Sequence, residues 1–308
     1  MAMEFPQFSE AQRMQRLLPP SGGVRMVLDT DTYNEVDDQF AVTHSLLSPG
    51  AMTVEAIYAA PFSGSRAATP AEGMEKSYEE ILRLLGMLGV AADGLAWRGS
   101  TEYLLDMETP PHSAATADLI ERALESGDDD PLYVVAIGAI TNVASAILQE
   151  PKIIEKIVVI WLGGHALHWP SAREFNLKQD LNASRLVFDC GVPLVHLPCM
   201  GVVDRLLTTL AELEVYVKGR GEIGDYLCEI IRGYSDDHFA YSKVIWDIAA
   251  TAYLVNPSWV STHIVNSPVL TDQITWSVDR SRHLIRCAYQ LNRDAIFADL
   301  FSKLAGEN

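Results

Sequence analysis

Short apolar runs alternate with longer stretches of helical period over the first two thirds of the chain. Val24-Arg25-Met26-Val27-Leu28-Asp29 is largely apolar and closes on an acid, as a buried strand does. Residues 53–60, 132–138, 157–164 and 194–198 read the same way. Helical patterns fall between them, at about 37–48, 72–88, 112–126, 140–149 and 180–190. Parallel strands need long crossovers, and helices supply them. The alternation therefore predicts an α/β fold, a mostly parallel twisted sheet with helices on both faces and right-handed connections. In such a sheet, ligands bind outside the carboxyl ends of the strands.

Beyond residue 200 the pattern changes. Residues 209–233 read as helical, and 246–255 form a helix with small residues on one face. Strands are expected at 259–265, 274–278 and 284–291, and a last helix to about 304. There is no internal repeat or low-complexity linker, so the expectation is one domain over 1–308, with a C-terminal helical and strand extension from about 200.

Composition narrows the function classes. A chain of 308 residues can bury a large core without staples. With 48% hydrophobic and 21% charged residues it reads as globular, not disordered. The net charge of −18 argues against nucleic acid as a partner, because backbone binding needs clustered Lys and Arg. It also disfavours an anionic membrane surface, and no apolar run approaches the roughly 18 residues of a membrane span. Cys190, Cys199, Cys228 and Cys287 show no metal-ligand spacing, and Glu4 and Glu10 lie where a signal peptide would be apolar. These features lead to the expectation of a cytoplasmic protein with reduced thiols.

The chemistry concentrates in Asp29-Thr30-Asp31-Thr32-Tyr33-Asn34-Glu35-Val36-Asp37-Asp38, where the first strand ends and a helix begins. Five acids in ten residues repel one another. A hard cation removes that repulsion, and calcium takes about six to eight oxygen ligands. Helix capping is the competing reading, but a cap needs one acid. Two families place paired acids after a first strand. Haloacid-dehalogenase-like phosphohydrolases use Asp-x-Asp-x-Thr/Val; Asp29 and Asp31 fit, but Tyr33 occupies the fifth position. Nucleoside hydrolases use Asp-x-Asp-Pro-Gly-x-Asp-Asp.

Three later segments, in order, resemble the nucleoside hydrolases. Gly138-Ala139-Ile140-Thr141-Asn142-Val143-Ala144 is similar to their Gly-Pro-Leu-Thr-Asn-x-Ala. Leu162-Gly163-Gly164, then Glu174-Phe175-Asn176 and Asp180, resembles their Met-Gly-Gly…Glu-Phe-Asn…Asp block. Trp246-Asp247 resembles their aromatic-or-His plus Asp pair, with Trp as in purine-preferring members. The resemblance implies calcium held by Asp31, Asp38, Asp247 and the carbonyl of Thr141. It implies Asp31 as general base toward a water on that cation. Asp37 then grips the ribose 2-hydroxyl, Glu174 and Asn176 the 3- and 5-hydroxyls, and Leu162 lines the sugar site. The implied reaction is hydrolysis of a ribonucleoside N-glycosidic bond, purine favoured, or of a related ribosyl-type glycoside. The implied assembly is a homo-oligomer.

Departures from the family pattern bear on the substrate. The segment between Asp31 and Asp37 is two residues longer than the motif, which brings Tyr33, Asn34 and Glu35 into play. Trp246 stands where pyrimidine-tolerant members carry an acid His, and Trp97 is the candidate second indole for a stacked purine. His165 and His168 lie in the loop before Glu174, and His168 is the candidate proton donor to the leaving base. Two other readings remain: a magnesium-dependent phosphohydrolase of the dehalogenase type, and a non-catalytic sugar- or nucleoside-binding protein.

Overall fold

The computed structural model describes residues 4–127 and 129–306. In chain order the elements are α1 (Glu10–Arg16), β1 (Val24–Thr30), α2 (Asp38–Leu46), β2 (Met52–Ala59), α3 (Pro70–Met87), β3 (Ala96–Arg98), α4 (Ala114–Leu124), β4 (Leu132–Ala136), α5 (Thr141–Gln149), β5 (Ile157–Leu162), α6 (Phe175–Gln179), α7 (Leu181–Asp189) and β6 (Leu194–Leu197). The remainder holds β7 (Leu207–Thr208), α8 (Leu210–Tyr216), α9 (Glu222–Arg232), β8 (Lys243–Val244), α10 (Ile248–Val255), β9 (Val260–Asn266), β10 (Val269–Leu270), β11 (Trp276–Ser277), β12 (Leu284–Leu291) and α11 (Arg293–Leu304). Eight strands form one sheet in the order β3-β2-β1-β4-β5-β6-β12-β9. Every neighbouring pair is parallel except β12 and β9.

The fold follows from strands buried on both faces. β4 and β5 carry no exposed residue, so they read as continuous apolar runs instead of alternating ones. Val27 and Leu28 point to opposite sides and belong to two separate cores. The Leu28 side is closed by α2, α3, α9, α10 and α11, and the Val27 side by α4, α5 and α7. Each fully buried Leu, Ile or Val contributes roughly 1.5–3 kcal/mol from its removal from water. Helix starts are marked in the sequence: Thr69 accepts from the Glu72 amide before Pro70, and Ser113 forms a capping box with Thr116.

Several expectations need correction. The single helix over 209–233 is two, α8 and α9, because Gly219 and Gly221 between them take φ of +76° and +122°. The strand at 274–278 is only a two-residue pairing of β11 with β10. α1, α6 and β3 are elements not expected from the pattern; each is one or two turns of helix or three residues of strand. The C-terminal β12 inserts beside β6, so the segment after 200 completes the same sheet. No helix among the described residues is long and apolar enough to cross a membrane.

Candidate active site

Four aspartates converge at the carboxyl edge of the sheet. Asp31 follows β1 directly, Asp37 and Asp38 open α2, and Asp247 occupies the N-cap position of α10. All four are at most 3% exposed. Neither Asp37 nor Asp247 uses its side chain to cap its helix, which removes the capping explanation for both. Carboxylate oxygens of Asp37, Asp38 and Asp247 lie within 4.8 Å of one another. Thr30 Oγ1 donates to Asp38 Oδ1 at 2.5 Å, and the Asp31 amide donates to the same oxygen at 3.1 Å. The Trp246 amide donates to Asp37 Oδ2 at 3.2 Å, tying the α10 side to the α2 side.

Burial, then the neighbouring carboxylates, holds the Asp31 and Asp247 carboxyls well above the usual range. The same two causes push Asp38 up to about 8. Burial alone raises Glu174. Two carboxylates about 4 Å apart repel by roughly 4 kcal/mol at an effective dielectric of about 20. Such a cluster either holds protons or holds a cation. Asp31 Oδ2 is buried with no hydrogen-bond partner, which fits a ligand atom waiting for a metal. An all-oxygen donor set of this kind suits a hard divalent ion.

The aspartates form one wall of a cavity of about 270 Å³. Leu162, Glu174, Asn176 and Trp246 line it as well. Glu174 accepts from the amides of Gly164, Asn176 and Leu177 at 2.9, 2.9 and 3.0 Å, so it is rigidly placed at the start of α6. Asn176 spends its amide hydrogens on the carbonyls of Ile137 and Leu162, at 2.9 and 3.1 Å. Its Oδ1 is left as the end available to a ligand. Gly164, with φ of +70°, turns the chain from β5 into this wall; a Cβ there would meet Leu177 and Trp276 at 2.8 and 2.9 Å.

Three sequence-derived assignments do not hold in the structure. Thr141, whose carbonyl was expected to hold the cation, is not among the residues lining the cavity; it is the first residue of α5. Ile137, directly after β4, lines the cavity beside the acids. His168 is exposed and stands outside the lining, because the chain turns between Ala166 and Trp169, where the Trp169 amide donates to the Ala166 carbonyl at 2.7 Å. His165, three residues earlier, lines the cavity instead, and its Nδ1 accepts from the Met200 amide at 3.3 Å. Trp97 sits in the short edge strand β3 and packs on the Val27 side of the sheet, away from the cavity. Asn34 and Glu35 of the longer loop do enter the lining; Tyr33 does not. Phe175 of the Glu-Phe-Asn segment lines it too, and Arg173, Cys199 and Met200, which carried no motif signal, complete it.

Gly138 marks how tightly the acids are held. A Cβ built there would lie 2.9 Å from Asp31 Oδ1 and 3.1 Å from the Ala60 Cβ. Gly138→Ala is therefore expected to displace Asp31. It should cost about 1–3 kcal/mol of stability but lower kcat on the order of 10²-fold. Thermal unfolding and steady-state kinetics on the same preparation check this; unchanged kcat would show that Asp31 tolerates the shift.

Comparison with known proteins identifies the family. Residues 26–298 match the model of the inosine-uridine preferring nucleoside hydrolase family. The chain is 27% identical over 241 residues to the pyrimidine-specific ribonucleoside hydrolase RihA of Klebsiella pneumoniae, covering 71% of this chain and 72% of that protein. It is 26% identical over 243 residues to a probable uridine nucleosidase of Arabidopsis thaliana, covering 71% and 72%. Among solved structures, a purine-preferring ribonucleoside hydrolase from Gardnerella vaginalis superposes with a TM-score of 0.72 at 19% identity, over 92% of this chain and 98% of that one. A plant nucleoside hydrolase superposes with a TM-score of 0.71 at 20% identity, over 92% and 99%. With its sheet, its acidic cluster and a family match over most of its length, the chain belongs to the inosine-uridine preferring nucleoside hydrolase family and is an N-glycosyl hydrolase.

Proposed function

We propose that this protein hydrolyses the N-glycosidic bond of ribonucleosides, purines favoured, at the Asp31–Asp37–Asp38–Asp247 cluster. The observation that carries the reading is the convergence of four buried aspartates, two of them at helix starts yet not capping. Asp31, Asp38, Asp247 and the Ile137 carbonyl are the groups that would hold a calcium ion; Thr141 is replaced in that role. When bound, the ion offsets the mutual repulsion of the acids and orients oxygen ligands for reaction. Asp31 takes the proton of the attacking water as its oxygen bonds to the anomeric carbon. The bond from that carbon to the base nitrogen breaks, and its electron pair leaves with the base. Asp37 holds the 2-hydroxyl, and Glu174 and Asn176 hold the 3- and 5-hydroxyls against the Leu162 wall. These carboxylates also stabilise the positive charge that develops on the sugar.

The leaving base is served by Trp246, by stacking, and by His165 as the proton donor in place of His168. Trp97 supplies no second indole, so the purine preference rests on Trp246. Trp246→Ala is then expected to lower kcat/KM for inosine about threefold to tenfold more than for uridine, the scale of one aromatic contact. Equal losses on both substrates would remove the stacking role. The whole reading is tested by release of free base from inosine, guanosine, adenosine, uridine and cytidine, with calcium and then with chelator. Calcium-dependent release supports it; no release from any of the five, with calcium bound, sinks it.

A further inference from the structure

A buried hydrogen-bonded chain lies behind the cluster and takes no part in the chemistry above. His44, on α2, has no solvent exposure. Its Nδ1 is 2.7 Å from Thr251 Oγ1 on α10, and its Nε2 is 2.7 Å from Asp299 Oδ2 on α11. Lys303 Nζ also contacts Asp299 Oδ2. The hydroxyl–imidazole–carboxylate order is that of a nucleophilic triad, but full burial of Thr251 and His44 keeps any substrate away. Burial lowers the His44 pKa, against the pull of the Asp299 carboxylate. Asp299 can only accept, so Nε2 donates to it, while Nδ1 is bonded to the Thr251 hydroxyl, which also contacts the Ile248 carbonyl at 3.2 Å.

The position of this chain is what gives it meaning. His44 lies six residues after Asp38, about 9 Å along α2, and Thr251 four residues after Asp247, about 6 Å along α10. The two helices that present metal-facing acids are thus bonded to each other one to two turns behind those acids. Ala41, Ala249, Ala250 and Ala252 of the two helices are all fully buried, and the His44–Thr251 bond adds a polar tie to the Trp246–Asp37 one nearer the cavity. A change of about 10° in the crossing, over a 9 Å arm, moves a carboxylate by about 1.5 Å. A functional site tolerates about 0.5 Å.

We propose that the Thr251–His44–Asp299 tie is a positioning device that sets the separation of the Asp38 and Asp247 carboxylates, and that α11 is thereby part of the metal site. The proposal rests on the metal-binding reading of the cluster. It is tested by titrating calcium into chelator-stripped protein and following binding by calorimetry, with no turnover involved. His44→Gln and Thr251→Val are expected to weaken calcium about tenfold, with Thr251→Ser within about twofold of the unmodified protein. The His44→Gln/Thr251→Val double variant should lose little more than either single one, since both cut one tie. Leu119→Ala, in the opposite core, controls for general destabilisation: its melting temperature should fall with calcium affinity unchanged. Should His44→Gln not fold, Thr251→Val and Asp299→Asn carry the test. Folded tie variants that bind calcium as tightly as the unmodified protein overturn the proposal, as does an equal affinity loss in Leu119→Ala. Asp38→Ala is the reference; if it too keeps full affinity, the metal reading fails and not the tie.

Discussion

Asp31→Asn is expected to lower kcat by about 10³-fold, in the middle of the range for losing a general base. The substitution keeps the shape of the side chain and one oxygen, so the Gly138 contact and the fold are preserved. It removes the ability to accept a proton. Asp31 suits that task because it is 1% exposed, sits at the strand end facing the cavity, and has an oxygen without a protein partner. Asp37→Asn provides the contrast. Asp37 is bonded to the Trp246 amide and is placed to hold a hydroxyl, so its loss should raise KM more than it lowers kcat. Single-turnover kinetics on inosine and uridine separate the two. An Asp31→Asn protein with turnover within tenfold of the unmodified enzyme would falsify the base assignment.

The fold and the acids were legible in the sequence because both are written in side chains. A short continuous apolar run such as Leu132–Ala136, set between helical patterns, reads as a strand covered on two faces, and Asp31, Asp37 and Asp38 fall within eight residues of the chain. Asp247 was singled out by the resemblance of Trp246-Asp247 to the family's pair. What the sequence hid depends on backbone and loop direction. Ile137 lines the cavity beside the acids though its apolar side chain gives no hint of it, whereas Thr141, singled out for its carbonyl by the motif it sits in, lies outside the lining. His165 and His168 are equivalent in composition; only the turn at Ala166–Trp169 sends one inward and the other out. Trp97 follows the alternation of a three-residue strand too short to show a period. The longer loop after Asp31 was visible as a departure, but not its outcome. Arg66 donates to the Glu35 carbonyl at 2.8 Å, and Lys243 pairs with the Glu35 carboxylate at 2.5 Å, so the extra residues are fixed in the cavity wall.

Removing the cation is expected to destabilise the protein, and more so as pH rises. Without a metal, the Asp31, Asp38, Asp247 and Glu174 carboxyls all have folded pKa values above their ordinary ones, with Asp38 at about 8 against 3.8. For a group raised in this way, the favourable contribution is present below the ordinary value and is lost as pH climbs through the folded one. The chelated protein should therefore lose stability steadily between about pH 4 and pH 8. Calcium reverses the cause: it favours the ionised acids, so the loaded protein should hold its stability over the same window. At a free concentration of about a hundred times Kd, binding to the folded state alone adds about 2.7 kcal/mol. For a chain of this size that corresponds to roughly 5 °C in melting temperature. Paired melting curves, with chelator and with calcium, should thus diverge on going from pH 5 to pH 8. Asp38→Asn should narrow the gap, because it removes one of the raised groups and one ligand together. Parallel curves at every pH would mean that the acids carry their charge without a cation, and that another group neutralises them.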